Sequence, residues 1–167
     1  QNIITLWASL ATDIFQSIMP PIDKPYTCVY IATEKTFPNM REALMAQTGC
    51  KHTEESEAAI MEYIHGNKGN AILIRQNLIP DNNEDHFCGM FWHELGHFYA
   101  INSESTVFYH YSDPGVVDDS RIVVFTQSGP ILGMSDERLK QEGYWFWQEF
   151  IAEAISKYVS NRFFRLF

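Results

Sequence analysis

Apolar positions return at helical spacing from the start of the chain. Ile3, Leu6, Trp7, Leu10, Ile14 and Ile18 predict a helix over residues 3–18, ended by the run "MPPIDKP". "YTCVYIAT" (residues 26–33) is rich in β-branched and aromatic residues and predicts a strand. "NMREALMAQTG" predicts a short helix stopped at Gly49. Thr53 can cap a further helix through "EESEAAIMEYIHG", stopped by Gly66. "NAILIRQNL" (residues 70–78) is the second clear strand, and "IPDNNED" is a loop with several possible N-caps. An aromatic, strongly apolar helix follows over about residues 85–102. The stretch "SESTVFYHYSDPGVVDDS" is uneven and punctuated by Pro and Gly. "RIVVFTQ" fits a strand and "SGPILGMS" a loop. Ser135 can cap a last helix through "DERLKQEGYWFWQEFIAEAISKYVSNRFF". With no internal repeat and no linker, the pattern predicts one α+β domain over residues 1–167, complete or cut from a longer chain.

Composition narrows the partners. The chain has 167 residues, 46% of them hydrophobic, which is enough for a real core. Its net charge is −9, from 12 Lys+Arg against 21 Asp+Glu. With no basic cluster to neutralise phosphates, nucleic acid is not an expected partner. No apolar run is long enough for a membrane span and no signal-peptide pattern opens the chain, so a cytoplasmic protein is expected. Cys28, Cys50 and Cys88 are odd in number and form no CxxC. They read as thiols in a reducing compartment and as small buried side chains. Nothing in the sequence sets the oligomeric state.

The chemistry lies in "FCGMFWHELGHFYAIN", residues 87–102. His93 and His97 are four apart, which on a helix puts both imidazoles on one face, one turn apart. Two neutral ring nitrogens at that separation can chelate one cation, and imidazole suits zinc. Glu94 flanks the same face, where its carboxylate can reach a water on the metal without binding the metal. This is the H-E-x-x-H arrangement of metalloproteases. In that chemistry the metal acidifies a water and polarises a carbonyl, while the glutamate takes the proton and hands it to the leaving amine. Gly96 costs the helix about 1 kcal/mol against alanine. That cost points to another backbone, or a substrate, passing close by. The bland alternative is a pair of hydrogen-bonded histidines on an ordinary core helix.

A catalytic zinc site needs a third protein ligand. HExxHxxGxxH is excluded, because Ala100 and Ser103 stand where that pattern needs Gly and His. Two candidates remain: His110 in "FYHYSDPG", and the pair Glu149 and Glu153 in "WFWQEFIAEAIS". The glutamates are again four apart. Two carboxylates on one face of a buried helix repel each other and are costly to desolvate, and a cation between the helices removes that cost. One carboxylate can bind the metal while the next accepts the N–H of a ligating histidine. An exposed acidic stripe beside Lys157 is the alternative.

With HELGH (His93 to His97) followed by "WQEFIAEAIS", the chain resembles the gluzincin zinc metallopeptidases. Their third ligand is a glutamate on a later helix, in patterns like W-x-x-E-G-x-A-E. Glu149, Ala152 and Glu153 match the E-x-x-A-E core. Trp147 does not fall on the family's tryptophan, and Phe150 stands where many members have Gly. The size and the plain HELGH are also similar to the small bacterial ImmA/IrrE-type metallopeptidases. The resemblance covers the two helices and little else. It implies a zincin-like fold, a small twisted and mostly antiparallel sheet packed on helices, with zinc between the HELGH helix and a C-terminal glutamate helix. It assigns His93, His97 and Glu149 to zinc, Glu94 to general base and acid, and Glu153 to orienting a histidine. It also implies an antiparallel edge strand before the first zinc helix that binds a peptide or protein substrate as an extended strand, and "NAILIRQNL" is placed for that.

A donor for the oxyanion is needed as well, and Tyr109, His110, Tyr111 and Tyr144 are candidates by residue type alone. His52, His65 and His86 read as surface or capping residues, and Asp118 and Asp119 as a solvated turn. Two rival readings stand beside the peptidase. One is a catalytically silent zincin-like binding or sensor module, against which an intact Glu94 speaks. The other is a SprT-like protease with His110 as third ligand. Such enzymes usually act near DNA, and the −9 charge speaks against that.

Overall fold

The fold is described from a computed structural model over residues 3–22, 27–50, 59–79, 83–102 and 136–165; for 136–147 only the backbone is described. In chain order the elements are α1 (Ile3–Ile18), β1 (Cys28–Ala32), α2 (Phe37–Thr48), β2 (Met61–Gly66), β3 (Gly69–Arg75), α3 (Glu84–Asn102) and α4 (Asp136–Phe163). The architecture is α+β. Expectations on residues 53–58, on "RIVVFTQ" and "SGPILGMS", and on His52, Tyr109, His110, Tyr111, Asp118, Asp119 and Ser135 lie outside the described residues, as does the Tyr144 side chain.

The described sheet has three strands in the order β1-β3-β2. β1 runs parallel to β3, with Tyr30 opposite Leu73, and β2 runs antiparallel to it, with Tyr63 opposite Ile72. The described part of the expected mostly antiparallel sheet is therefore mixed. β3 is its centre, paired on both sides, and not the substrate-binding edge. Residues Ala71 to Arg75 are all buried, which explains the unbroken apolar run "AILI". The strand ends at Arg75, and Gln76–Leu78 form a 3-10 turn.

The helix expected through "EESEAAIMEYIHG" is overturned where it is described: Met61–Gly66 is a strand. Gly66 and Gly69 face each other across a two-residue turn, so Gly66 closes a hairpin and does not stop a helix. The neighbouring strand decides the matter by offering backbone partners.

Side chains of β3 alternate between two cores. Ala71 and Leu73 pack with Ile64 of β2 and with Phe37 and Leu44 of α2. Ile72 and Ile74 pack with Met61 and with α1, α3 and α4. α2 thus covers one face and the other three helices cover the other. Arg41 of α2 forks onto Glu62 of β2, with Nε–Oε2 at 2.8 Å and Nη2–Oε1 at 2.9 Å.

α1 buries Ile4, Trp7, Ala8, Ala11 and Phe15, while Ile3, Leu6 and Leu10 are exposed. The buried stripe is rotated from the expected one because small alanines fit under α3. There Trp92 donates its indole N–H to the Ala11 carbonyl at 2.9 Å. α3 buries Phe87, Phe91, Trp92 and Leu95 against Ile151, Ile155 and Val159 of α4. At Gly96 a Cβ would lie 2.9 Å from both Cα and O of Ala152, so the passing backbone that the glycine called for is α4. One turn further along, the Ser156 hydroxyl donates to the Gly89 carbonyl at 2.9 Å.

Candidate metal centre

Asn83 starts α3 by accepting the His86 N–H on its side-chain oxygen at 3.0 Å. Two turns on, the helix presents His93 and His97. Their rings are 4.9 Å apart between centroids and nearly perpendicular. The close crossing at Gly96 and Ala152 sets Glu149, one turn before Ala152, opposite both. Nε2 of His93 lies 3.2 Å from Glu149 Oε2, and Nε2 of His97 lies 3.4 Å from Glu149 Oε1. One donor atom from each of the three lies within 4.8 Å of the others, close enough to hold a metal ion. Ligand bonds of about 2.0–2.1 Å at tetrahedral angles put donor atoms roughly 3.3–3.5 Å apart. Each histidine is at that separation from a different oxygen of Glu149, and two imidazoles with a carboxylate are a donor set that zinc accepts.

Glu153 lies on the other side of His93, its Oε2 at 3.4 Å from Nδ1, while Lys157 holds its Oε1 at 3.0 Å. The glutamates are 60% and 52% exposed, against the expectation of a buried pair. Desolvation therefore gives no reason for a cation here; the two imidazoles and the Glu149 carboxylate are close enough to hold one. Glu149 and its hydrogen bond raise the His93 pKa above the ordinary histidine value, against the opposing effect of burial. The same contact with His93, then that with His97, holds the Glu149 carboxyl well below the usual carboxylate range. Lys157 likewise depresses Glu153.

Glu94 belongs to neither group of contacts. It is partly buried, and burial, assisted by Glu149, raises its pKa against the pull of both histidines and of a backbone hydrogen bond from Tyr63. Tyr63 is the site residue that the sequence reading missed. Its ring lies parallel to that of His97 with centroids 6.1 Å apart, and it packs edge-on to Phe98. The findable signal was the alternation of "MEYIH" before Gly66-Asn67-Lys68-Gly69, a hairpin pattern.

β2 is an edge of the described sheet. The Arg75 N–H donates to the Ile60 carbonyl at 2.8 Å, so even-numbered positions of this segment exchange bonds with β3. The odd ones, Met61, Tyr63 and His65, turn their N–H and C=O groups outward, and the Tyr63 N–H meets Glu94. Between β2 and the first half of α3 is a cavity of about 610 Å³ that reaches His93 and Glu94. Ile60, Met61, Gly89 and Met90 wall it, with Asp85 towards the start of α3 and Glu153 on α4.

Of the other histidines, His65 is exposed and stacks on Tyr63, and His86 is exposed at the start of α3. The cysteines are free, and only Cys88 is buried, which pushes its thiol up to about 11. Among the described residues no helix is long and apolar enough to cross a membrane. Comparisons of the chain with family models, curated proteins and solved structures found no match.

Proposed function

We propose that the chain is a zinc-dependent peptidase of gluzincin type with a zincin-like fold. The observation that carries this reading is the convergence of two histidine Nε2 atoms on Glu149, with a separate carboxylate of raised pKa, Glu94, beside them. When bound, zinc supplies an acidified water and a Lewis acid for the scissile carbonyl. His93, His97 and Glu149 hold it. Glu153 accepts the Nδ1–H of His93, which leaves the Nε2 lone pair for the metal, and Lys157 steadies Glu153. The Tyr63 ring braces His97. Glu94 takes a proton as base and returns it to the leaving amine as acid. A carboxyl whose pKa is raised by burial holds the proton it takes more readily, which suits that task. The substrate is an extended peptide laid on the outer edge of β2, which offers its outward groups beside Glu94.

Glu94→Gln tests the reading. Glutamine keeps an acceptor for the Tyr63 N–H but cannot carry the proton. Zinc content and melting temperature are expected to stay unchanged while hydrolysis of a cleavable peptide falls by about 10² to 10⁴. Equal rates in the variant and the parent would remove Glu94 from the chemistry. Zinc uptake without cleavage of any peptide would leave a metal-bearing binding module.

A further inference from the structure

α3 contains two glycines inside its helical span, and they do different things. Gly96 is filled by the backbone of Ala152. Gly89 is not filled: a Cβ built there meets no atom of the described residues within 4 Å. A mid-helix glycine costs about 1 kcal/mol, and close packing of a neighbour does not account for this one. Gly89 instead forms floor of the cavity that runs from His93 and Glu94 towards the start of α3.

Besides His93 and the exposed His86, three carboxylates line that cavity. Glu94 faces His93 and His97, and Glu153 is paired with Lys157 and His93. Asp85 is exposed and has no ion-pair partner among the described residues. It stands eight residues before His93, roughly 12 Å along the helix axis. A short side chain on a peptide held at the metal falls far short of Asp85, whereas a lysine or arginine stem, extended and met part-way by the Asp85 side chain, can bridge to it. Ile60, Met61 and Met90 provide apolar wall for such a stem.

We infer that this cavity receives a lysine or arginine side chain of the substrate, next to the scissile bond, with Asp85 as the residue that selects the positive charge. Gly89 leaves the passage open for the stem. The assignment rests on the metallopeptidase reading and adds its substrate class: peptides with a cationic residue at the cleavage point.

The test uses zinc-loaded protein and two peptide hydroxamates that differ only in lysine against norleucine at the side chain nearest the metal-binding group. Norleucine keeps the stem and lacks the charge. Lysine is expected to bind about tenfold more tightly, as for a hydrogen-bonded ion, and the advantage should shrink with added salt. In Asp85→Asn the two should bind alike, with norleucine affinity unchanged from the parent. Gly89→Leu should weaken both while the fold melts no lower, since an open helical position is being filled. Equal affinities in the parent, or a lysine preference that survives Asp85→Asn, would overturn the assignment and leave the metal site standing. A chain that takes up no zinc would overturn the metal reading and this inference with it. A lysine preference that depends on Asp85, in a protein that cleaves no peptide, would uphold the pocket and sink the peptidase.

Discussion

Among the described residues, the carboxylate contact that joins α2 to β2 and the one that joins α3 to α4 differ in charge. In the first, Arg41 forks onto Glu62 at 2.8–3.0 Å and joins α2 to β2. In that contact one cation meets one anion. In the second, His93 and His97 meet Glu149 at 3.2 and 3.4 Å, with Glu153 and Glu94 beside them. Among the described residues, with neutral imidazoles, three carboxylates there face one ammonium, that of Lys157. The surplus is two negative charges, the charge of one divalent cation. Without a metal, His93 meets part of it by holding a proton more strongly than usual. Contact geometry alone makes both places ion pairs; counting charge separates a finished contact from an unfinished one.

The sharpest way to break that comparison is to delete one carboxylate from each. Glu149→Ala should abolish the zinc-induced rise in melting temperature, because it removes a direct ligand, while the chelator-treated variant melts close to the chelator-treated parent. Glu62→Ala should do the opposite. It leaves the buried Arg41 without its main partner, at a cost of about 3 kcal/mol, or roughly 6–12 °C in melting temperature, and zinc stoichiometry should not change. Zinc loss in Glu62→Ala with retention in Glu149→Ala would reverse the assignment.

Glu153→Ala should weaken zinc by about 10- to 100-fold, the usual loss when a ligating histidine loses its orienting carboxylate. A larger loss than for Glu149→Ala would move the ligand one turn along α4. Gly96→Ala forces a Cβ onto the Ala152 backbone and should cost about 1–3 kcal/mol, with weaker zinc binding as the helices part. Gly89→Ala, in open space, should instead stabilise by about 1 kcal/mol. Chemical denaturation of the two variants checks this contrast on a single helix.

The smallest effect is the pH dependence of the metal-free protein. A raised His93 pKa contributes stability that is fully present below its ordinary value of 6.5 and is lost as pH rises through the raised one. A lowered Glu149 pKa contributes stability present above 4.5 and lost as pH falls through the depressed one. The cluster should therefore help the metal-free fold most between those two values and less at higher pH. Zinc affinity should run the other way and rise with pH, since His93 must release its proton to bind. Melting curves with and without chelator should diverge as pH increases, and parallel curves would separate the metal from His93.

Much of this was legible in the sequence because it depends only on near neighbours. The i, i+4 spacing of His93 and His97 puts them on one helical face whatever surrounds the helix. Gly49 ends α2 in a left-handed conformation (φ 73°) that glycine adopts without strain, so that stop could be read locally. The same local logic placed β1, α3 and α4. It failed at residues 61–66, where an apolar pattern short enough for either element became a strand because β3 lay beside it. It failed again for Tyr63, whose role at the site comes only from that strand.

What the sequence determined by itself is the chemistry on offer: two imidazoles one turn apart, an adjacent carboxylate, and a second helix with acids at the same spacing. Tertiary structure decided which of these groups meet. The missing Cβ of Gly96 lets α4 cross close enough for Glu149 to reach both histidines, and the mixed sheet turns the edge of β2 towards Glu94. It also left Gly89 open and, one turn before it, Asp85 without an ion-pair partner among the described residues, both lining one cavity. Spacing along a chain follows from backbone geometry, but a contact between segments dozens of residues apart depends on how helices and strands pack. No local pattern encodes that packing.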